Sequence, residues 1–269
     1  MSALTELATG TIAPVAGPAA PAIAMHDLTL GYDGHPAVHH LDGTFDVGSL
    51  TAVTGPNGSG KSTLLKGIMG QLPPLGGRIE VTPTDIAYLP QSAEIDRTFP
   101  MRVSELVGLG LWRKLGSSGA FGKAEQLHVA EALAAVGLSG FARRGLDTLS
   151  GGQLQRALFA RMLVQDAPLL LLDEPFTGID MQTVEDLMSL VGRWRAEGRT
   201  VIAVLHDLTL VRQHFPQTLL MAREPIAWGP TSSVLSVDNL GKARAMPEAW
   251  DDHAPWHANG RHNHNGKAA

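Results

Sequence analysis

The nonapeptide GPNGSGKST, residues 55–63, constrains the fold of this chain more than any other stretch. It satisfies G-x-x-x-x-G-K-[ST] in full, a pattern that carries meaning only where a strand enters it and a helix leaves it. Both flanks comply. Residues 50–54 (LTAVT) read as a strand, and residues from 61 to about 69 as a helix. Gly55, Gly58 and Gly60 let the backbone bend until its N–H groups converge on anionic oxygens. A helix starting at Lys61 aims the positive end of its dipole at the same point. Pro56, Asn57 and Ser59 complete the turn. Lys61 is placed to reach the β- and γ-phosphates of a nucleotide, Ser62 to set its hydroxyl on Mg²⁺, and Thr63 closes the motif.

A loop of this kind needs a sheet to hang from, and the rest of the chain supplies one. PLLLLDEP (168–175) and TVIAVLHD (200–207) are apolar runs of the sort that form strands buried on both faces. DIAYLPQ, QTLLMA and EPIAWG are further strands. Helices are expected over 181–197, before Pro216, and after Ser150. In the last of these Leu154, Ala157, Leu158 and Met162 recur at helical spacing, with Arg161 the polar exception. This alternation predicts an α/β fold with a mostly parallel core sheet. Before it, IAMHDLTLGY, AVHH and GTFDV read as short antiparallel strands. Within it, residues 91–150 read as an inserted helical unit, with VSELVGLGLW and AEQLHVAEALAAVGL as its helices. The core domain is expected over 23–240. Residues 1–22, rich in Ala, Pro, Gly and Thr, have little bulk to bury and read as a disordered leader. Residues 241–269 read as a flexible, histidine-rich tail.

Composition excludes several alternatives. The net charge of −5 gives no basic signature for nucleic acid. The chain has no cysteine, so disulfides and thiolate metal sites are impossible. Its longest leucine run, at 169–172, is far below the roughly 18 apolar residues of a membrane span. No basic segment followed by an apolar core opens the chain, and the expected location is the cytoplasm.

Two further motifs bear on phosphate chemistry. The run of leucines ends in Asp173 and Glu174 at a strand tip. Asp173 is placed to hold the Mg²⁺ shell, and Glu174 to orient or deprotonate an attacking water. LSGGQ, residues 149–153, sits just before a helix. Ser150 is a natural N-cap, Gly151 and Gly152 leave backbone N–H groups open to an anion, and Gln153 follows. The chain thus carries two phosphate-binding devices where one nucleotide needs one.

Taken in order, Tyr32 in GYDG, GPNGSGKST, Gln91 in YLPQ, LSGGQLQ, LLLLDEP, Asp180 in TGID and His206 in AVLHD closely resemble the ATP-binding subunits of ABC transporters. The resemblance covers roughly residues 23 to 240. It implies a P-loop NTPase of the ABC type, with ATP and Mg²⁺ as ligands. It also implies a head-to-tail homodimer in which each ATP lies between one subunit's GPNGSGKST and the other's LSGGQ. It further assigns Tyr32 to adenine stacking, Gln91 to Mg²⁺ and the link to the membrane subunit, His206 to the γ-phosphate and catalytic water, and Asp180 to coupling across the dimer. TGID stands where many members have SALD, with the aspartate retained.

No membrane span is fused to the nucleotide-binding residues, so the resemblance implies a separate permease and, indirectly, a periplasmic or extracellular metal-binding protein. It places the chain on the cytoplasmic face of the inner membrane. SAEIDRTFPMRVSELVGLGLW resembles the zinc/manganese uptake branch, with iron–siderophore and cobalamin importers next. Outside transport, a soluble ABC ATPase or a non-hydrolysing regulator are the alternatives; intact Glu174 and His206 oppose the last. In the tail, His253, His257, His262 and His264 suit zinc chemically but lack fixed ligand spacing. His26, His35, His39 and His40 read as ordinary strand residues, because alternation splays neighbours to opposite faces.

Overall fold

A computed structural model of the chain describes residues 21–91, 94–116 and 121–245. Among these described residues nine strands form two sheets. The first has three antiparallel strands in the order β2-β1-β4, where β1 is Pro21–Tyr32, β2 His35–Asp46 and β4 Gly76–Val81. The second has six in the order β5-β6-β7-β3-β8-β9, with β3 Leu50–Thr54, β5 Ile86–Leu89, β6 Leu169–Asp173, β7 Thr200–Val204, β8 Gln217–Ala222 and β9 Glu224–Pro230. Every neighbouring pair in the second sheet is parallel except β8–β9.

The leucines of β6 show how the core is divided. All five residues of the strand are buried. Leu169 and Leu171 pack into one apolar cluster, while Leu170 and Leu172 pack into the other. Successive side chains of a strand point to opposite faces, so an uninterrupted apolar run is what a strand covered on both sides requires. One face is covered by helix α1 (Lys61–Ile68), through Leu64, Leu65 and Ile68, and by the three-stranded sheet. The other is covered by α5 (Gly151–Gln165) and α6 (Met181–Ala196), where Phe159 and Trp194 stack with centroids 5.6 Å apart and planes 6° from parallel. Between β5 and α5 lie α2 (Val103–Gly108), a 3₁₀ turn, α3 (Trp112–Leu115) and α4 (Lys123–Ala135). α7 (Leu208–His214), α8 (Thr231–Val234) and α9 (Val237–Ala245) follow.

Arg161, the polar exception on α5, has a structural task. Its guanidinium donates to the carbonyl of Tyr88 at 2.6 Å and ties α5 to the edge strand β5, and burial holds its pKa below the usual arginine range.

Three expectations are corrected, and one unforeseen strand is added. The leader ends before Pro21: Pro21 pairs with Asp46, Ala22 is fully buried, and the Thr82 amide donates to the Ala22 carbonyl at 2.9 Å. A proline is tolerated there because it is the first residue of its strand. AVHH and GTFDV are one strand, β2, whose pairing with β1 shifts register several times; His40 and Gly43 adopt positive φ, and His40 Nδ1 lies 2.6 Å from an Asp27 carboxylate oxygen. GGRIEV forms β4, a strand left out of the expected ones: Arg78, Ile79, Glu80 and Val81 do alternate, but the run is short and opens on two glycines. Finally, the C-terminal boundary at 240 cuts through α9, and neither α8 nor α9 is apparent from the sequence.

Candidate nucleotide site

The C-terminal ends of β3, β7 and β6 lie side by side, and each delivers one part of the site. Crevices at the carboxyl ends of parallel strands are where α/β sheets bind ligands. From β3 the chain turns through residues 55–60 into α1. Glycine is required at two points by what surrounds them. Gly55 has φ 150°, and a Cβ there would lie 1.9 Å from the Met221 carbonyl oxygen. Gly60 has φ 89°, and its Cβ would meet the Ala37 carbonyl oxygen at 2.4 Å. The loop is thereby clamped between β8 and β2. Gly58 differs from the other two. It shares their positive φ, at 74°, but a Cβ there would meet nothing within 4 Å, so no neighbour crowds it and the turn alone selects the residue. Ser59 and Thr63 are buried beneath the loop.

Lys61 is buried at the base of the loop. Its ammonium donates to the Pro56 carbonyl at 2.7 Å, the Gly55 carbonyl at 3.0 Å and the Ser59 hydroxyl at 3.3 Å. The sequence predicts a phosphate as its partner; the partners seen are the loop's own oxygens, which hold the charge in the cradle. Burial lowers its pKa, while Glu174 and then Asp173 oppose that shift.

β6 ends in Asp173, which is fully buried. Desolvation raises its pKa, while the neighbouring Ser62 and Gln91 side chains act the other way. The Tyr88 hydroxyl donates to Oδ2 at 3.4 Å, whereas Oδ1 is buried without a hydrogen-bond partner. Ser62, Gln91 and Asp173, three residues far apart in sequence, therefore converge. Tyr88 is a site residue that sequence reasoning misses. Its own pKa is raised well above the ordinary tyrosine range, chiefly by burial and then by Asp173. Its position beside Leu171 in the β5–β6 register is the signal that it faces the leucine strand's tip.

Glu174 follows with φ 49°, a left-handed backbone uncommon for a side-chain-bearing residue. The turn directs its carboxylate to His206, two residues beyond β7, where Oε1 and Nε2 are 2.5 Å apart. The Thr177 hydroxyl donates to Oε2 at 3.4 Å. An ionised carboxylate can only accept, so the imidazole donates to it. Non-glycine residues held in this region of φ/ψ space cluster at functional sites.

Tyr32 ends β1 and pairs with His35 across the hairpin, with nearly half of its surface exposed. The same hairpin carries Val38, which adjoins Gly60. This places an open aromatic face on the element beside the phosphate loop.

The LSGGQ device stands apart. Ser150 caps α5 reciprocally: its hydroxyl accepts from the Gln153 amide at 3.2 Å, and the Gln153 side chain accepts from the Ser150 amide at 3.1 Å. Ser150, Gly152 and Gln153 open onto a cleft shared with Asp180 and Arg156, distinct from the cleft that Gly55 and Pro56 border. Asp180 caps α6, accepting from the Thr183 amide at 2.9 Å and hydroxyl at 2.8 Å, which together hold its carboxyl below the usual range. Arg156, also missed by sequence reasoning, binds the Val136 carbonyl, the Thr183 hydroxyl and Asp186, and so fixes α5 against α6. The polar sequence QLQR hides this role. His253, His257, His262 and His264 lie outside the described residues.

Comparison with known proteins places this constellation. Residues 38–177 match the ABC transporter family. The chain is 38% identical over 220 residues to the manganese transport system ATP-binding protein MntB of Listeria monocytogenes, covering 79% of this chain and 92% of that protein. It is 38% identical over 229 residues to the zinc transport system ATP-binding protein TroB of Treponema pallidum, covering 82% and 86%. Among solved structures it superposes on an inward-facing ABC transporter described as metal-chelate type with a TM-score of 0.76 at 28% identity, over 84% of this chain and 90% of that one. It superposes on the dimeric ABC cassette MJ0796 with a TM-score of 0.69 at 25% identity, over 78% and 98%. The chain belongs to the ABC transporter family, and it is one of that family's ATPase subunits.

Proposed function

We propose that this chain hydrolyses ATP to drive import of a divalent transition metal, zinc first and manganese next, through a separate permease. The observation that carries the reading is the 38% identity, over most of both chains, to relatives named for manganese and for zinc transport. Their names divide between the two metals, and the preference for zinc rests on the imidazole-rich tail alone.

The residues support a division of labour for hydrolysis. Residues 55–63 cradle the phosphates of ATP, and Tyr32 stacks on its base. Lys61 meets the β- and γ-phosphates. Ser62, Gln91 and Asp173 offer the hard oxygen donors that Mg²⁺ takes, and the unpartnered buried Oδ1 of Asp173 suits such a role. When bound, Mg²⁺ neutralises charge on the phosphates. His206 orients the Glu174 carboxylate, which accepts a proton from the attacking water. Because residues 150–153 open away from the chain's own phosphate loop, a second copy in head-to-tail array completes each site, and Asp180 lies at that junction.

Among the described residues no helix is long and apolar enough to cross a membrane. The segment following Gln91 instead presents Trp112, Leu109 and Phe121 as exposed apolar side chains around a groove. We assign this groove to the permease, which would hold the chain at the cytoplasmic face of the inner membrane. A solute-binding protein would act only indirectly. The test is uptake of radiolabelled zinc and manganese by cells whose sole copy carries Lys61→Ala. Loss of uptake of one or both metals supports the reading and names the cargo; uptake of both at the parental rate overturns it.

A further inference from the structure

The two glycines of LSGGQ lie against the turn that carries Asp180 in the same chain. A Cβ on Gly151 would stand 3.5 Å from the Gly178 carbonyl oxygen. One on Gly152 would stand 3.7 Å from both Asp180 Oδ2 and Thr183 Oγ1. The first turns of α5 and α6 therefore meet, each capped by its own residue, Ser150 for α5 and Asp180 for α6. A cap fixes a residue on its own helix. It does not fix how two caps stand relative to one another.

Arg156 makes that connection through direct contacts. One guanidinium nitrogen donates to Thr183 Oγ1 at 3.2 Å and to Asp186 Oδ2 at 2.7 Å. The other donates to the Val136 carbonyl at 3.1 Å, at the end of α4. Thr183 passes the contact on. Its hydroxyl donates to Asp180 Oδ2 at 2.8 Å and its amide to Oδ1 at 2.9 Å. Both oxygens of the Asp180 carboxylate are thereby held, and the hydroxyl that holds one of them is itself held by Arg156. The Arg156 side chain is only 19% exposed, so solvent screens these bonds less than it screens a surface pair. A guanidinium presents its donors in one rigid plane, which suits it to join three elements at once. Ser150, Gly152, Gln153, Arg156, Asp180 and Thr183 line one open cleft.

We propose that Arg156 is a positioning residue for the partner's nucleotide. Through Thr183 it sets Asp180 against Ser150 and Gly152, and it presents them as one preformed surface to a second copy of the chain. This rests on the head-to-tail reading above and names the residue that prepares the half-site each chain contributes. The chain's own phosphate cradle is clamped elsewhere, at the Met221 and Ala37 carbonyls. Loss of the fork should therefore spare ATP binding by one chain and weaken the pairing of two.

The experiment uses the full-length Glu174→Gln chain, in which undischarged ATP should hold two copies together. Into it go Arg156→Gln, which removes the fork, or Thr183→Val, which removes the relaying hydroxyl but keeps the shape and the backbone bond to Asp180. Sedimentation equilibrium at saturating ATP measures pairing, and equilibrium dialysis of the dilute chain measures ATP binding. A head-to-tail pair holds two such junctions, so a loss of about tenfold at each, from ordering the Asp180 turn anew, compounds to a pair about 100-fold weaker in Arg156→Gln. Thr183→Val should weaken pairing by at least about tenfold, with ATP affinity in both variants within about twofold of the background. Should Arg156→Gln misfold, Thr183→Val carries the same test. Undiminished pairing in either variant overturns the proposal. Loss of ATP binding in both overturns it too, because the lesion would then be one of the whole fold. Failure of the Glu174→Gln chain itself to pair in ATP would refute the head-to-tail reading instead, so the two failures are distinguishable.

Discussion

Replacing Glu174 by glutamine separates binding from chemistry at this site. The substitution keeps the volume of the side chain and its capacity to accept a hydrogen bond from His206, but removes the charge and the basicity. Glu174 has partners on both oxygens, His206 at 2.5 Å and Thr177 at 3.4 Å, so its orientation is determined before any substrate arrives. A positioned general base contributes roughly 10²- to 10⁴-fold, which corresponds to about 3–5 kcal/mol of barrier. Hydrolysis in Glu174→Gln should therefore fall by at least about 100-fold. Binding should persist, because the cradle and Lys61 are untouched, and undischarged ATP should hold two copies together. One secondary effect follows from the electrostatics. Glu174 is the first of the two carboxylates that raise the Lys61 pKa against the lowering effect of burial. Removing it lets burial lower that pKa further, so ATP affinity should begin to weaken at a lower alkaline pH than in the parent. The assays are phosphate release at saturating ATP, equilibrium binding of ATP across pH, and the sedimentation of the mutant with and without ATP. Hydrolysis at the parental rate would refute the assignment of the base. Loss of binding together with rate would show that Glu174 belongs to the cradle instead.

Asp173→Asn should abolish hydrolysis yet raise the urea midpoint of the nucleotide-free chain at neutral pH. Burial raises this carboxyl above its ordinary 3.8, so ionisation costs the fold stability, and that cost appears as pH rises from 3.8 through the folded value. The parent should regain this increment on acidification and the mutant should not; equal midpoints at neutral pH would sink the argument. Truncation before Trp250 removes His253, His257, His262 and His264. It should reduce zinc binding measured by equilibrium dialysis and remove any response of hydrolysis to free zinc, and unchanged behaviour in both assays would dismiss the tail as a metal sensor.

Much of the site is legible in the sequence because its parts are local. GPNGSGKST, LLLLDE and LSGGQ each specify their own backbone: a turn whose glycines supply positive φ, a strand buried on both faces, a helix capped by its own serine and glutamine. Such features depend on residues within a few positions and leave a pattern in the sequence. Tyr88 and Arg156 are not legible because their roles are set by partners 85 and 27 to 30 residues away, Asp173 for one, Thr183 and Asp186 for the other. Nothing in AYLPQ or QLQR marks those distances. Gln91 and His206 fall between the two cases, since alone each is an unremarkable residue and only the family resemblance raises them.

The C-terminal helices fail to show for a different reason. α8 is a single turn, Thr231–Val234, and α9 buries little more than Ala243 along its length, with Leu240 partly covered. A helix that rests on the domain by one narrow edge has almost no apolar stripe for periodicity to reveal. What α9 does touch is β8 and β9, with Leu240 packed against the apolar cluster on the α5–α6 side of the sheet, so its place is set by tertiary partners and not by a stripe of its own.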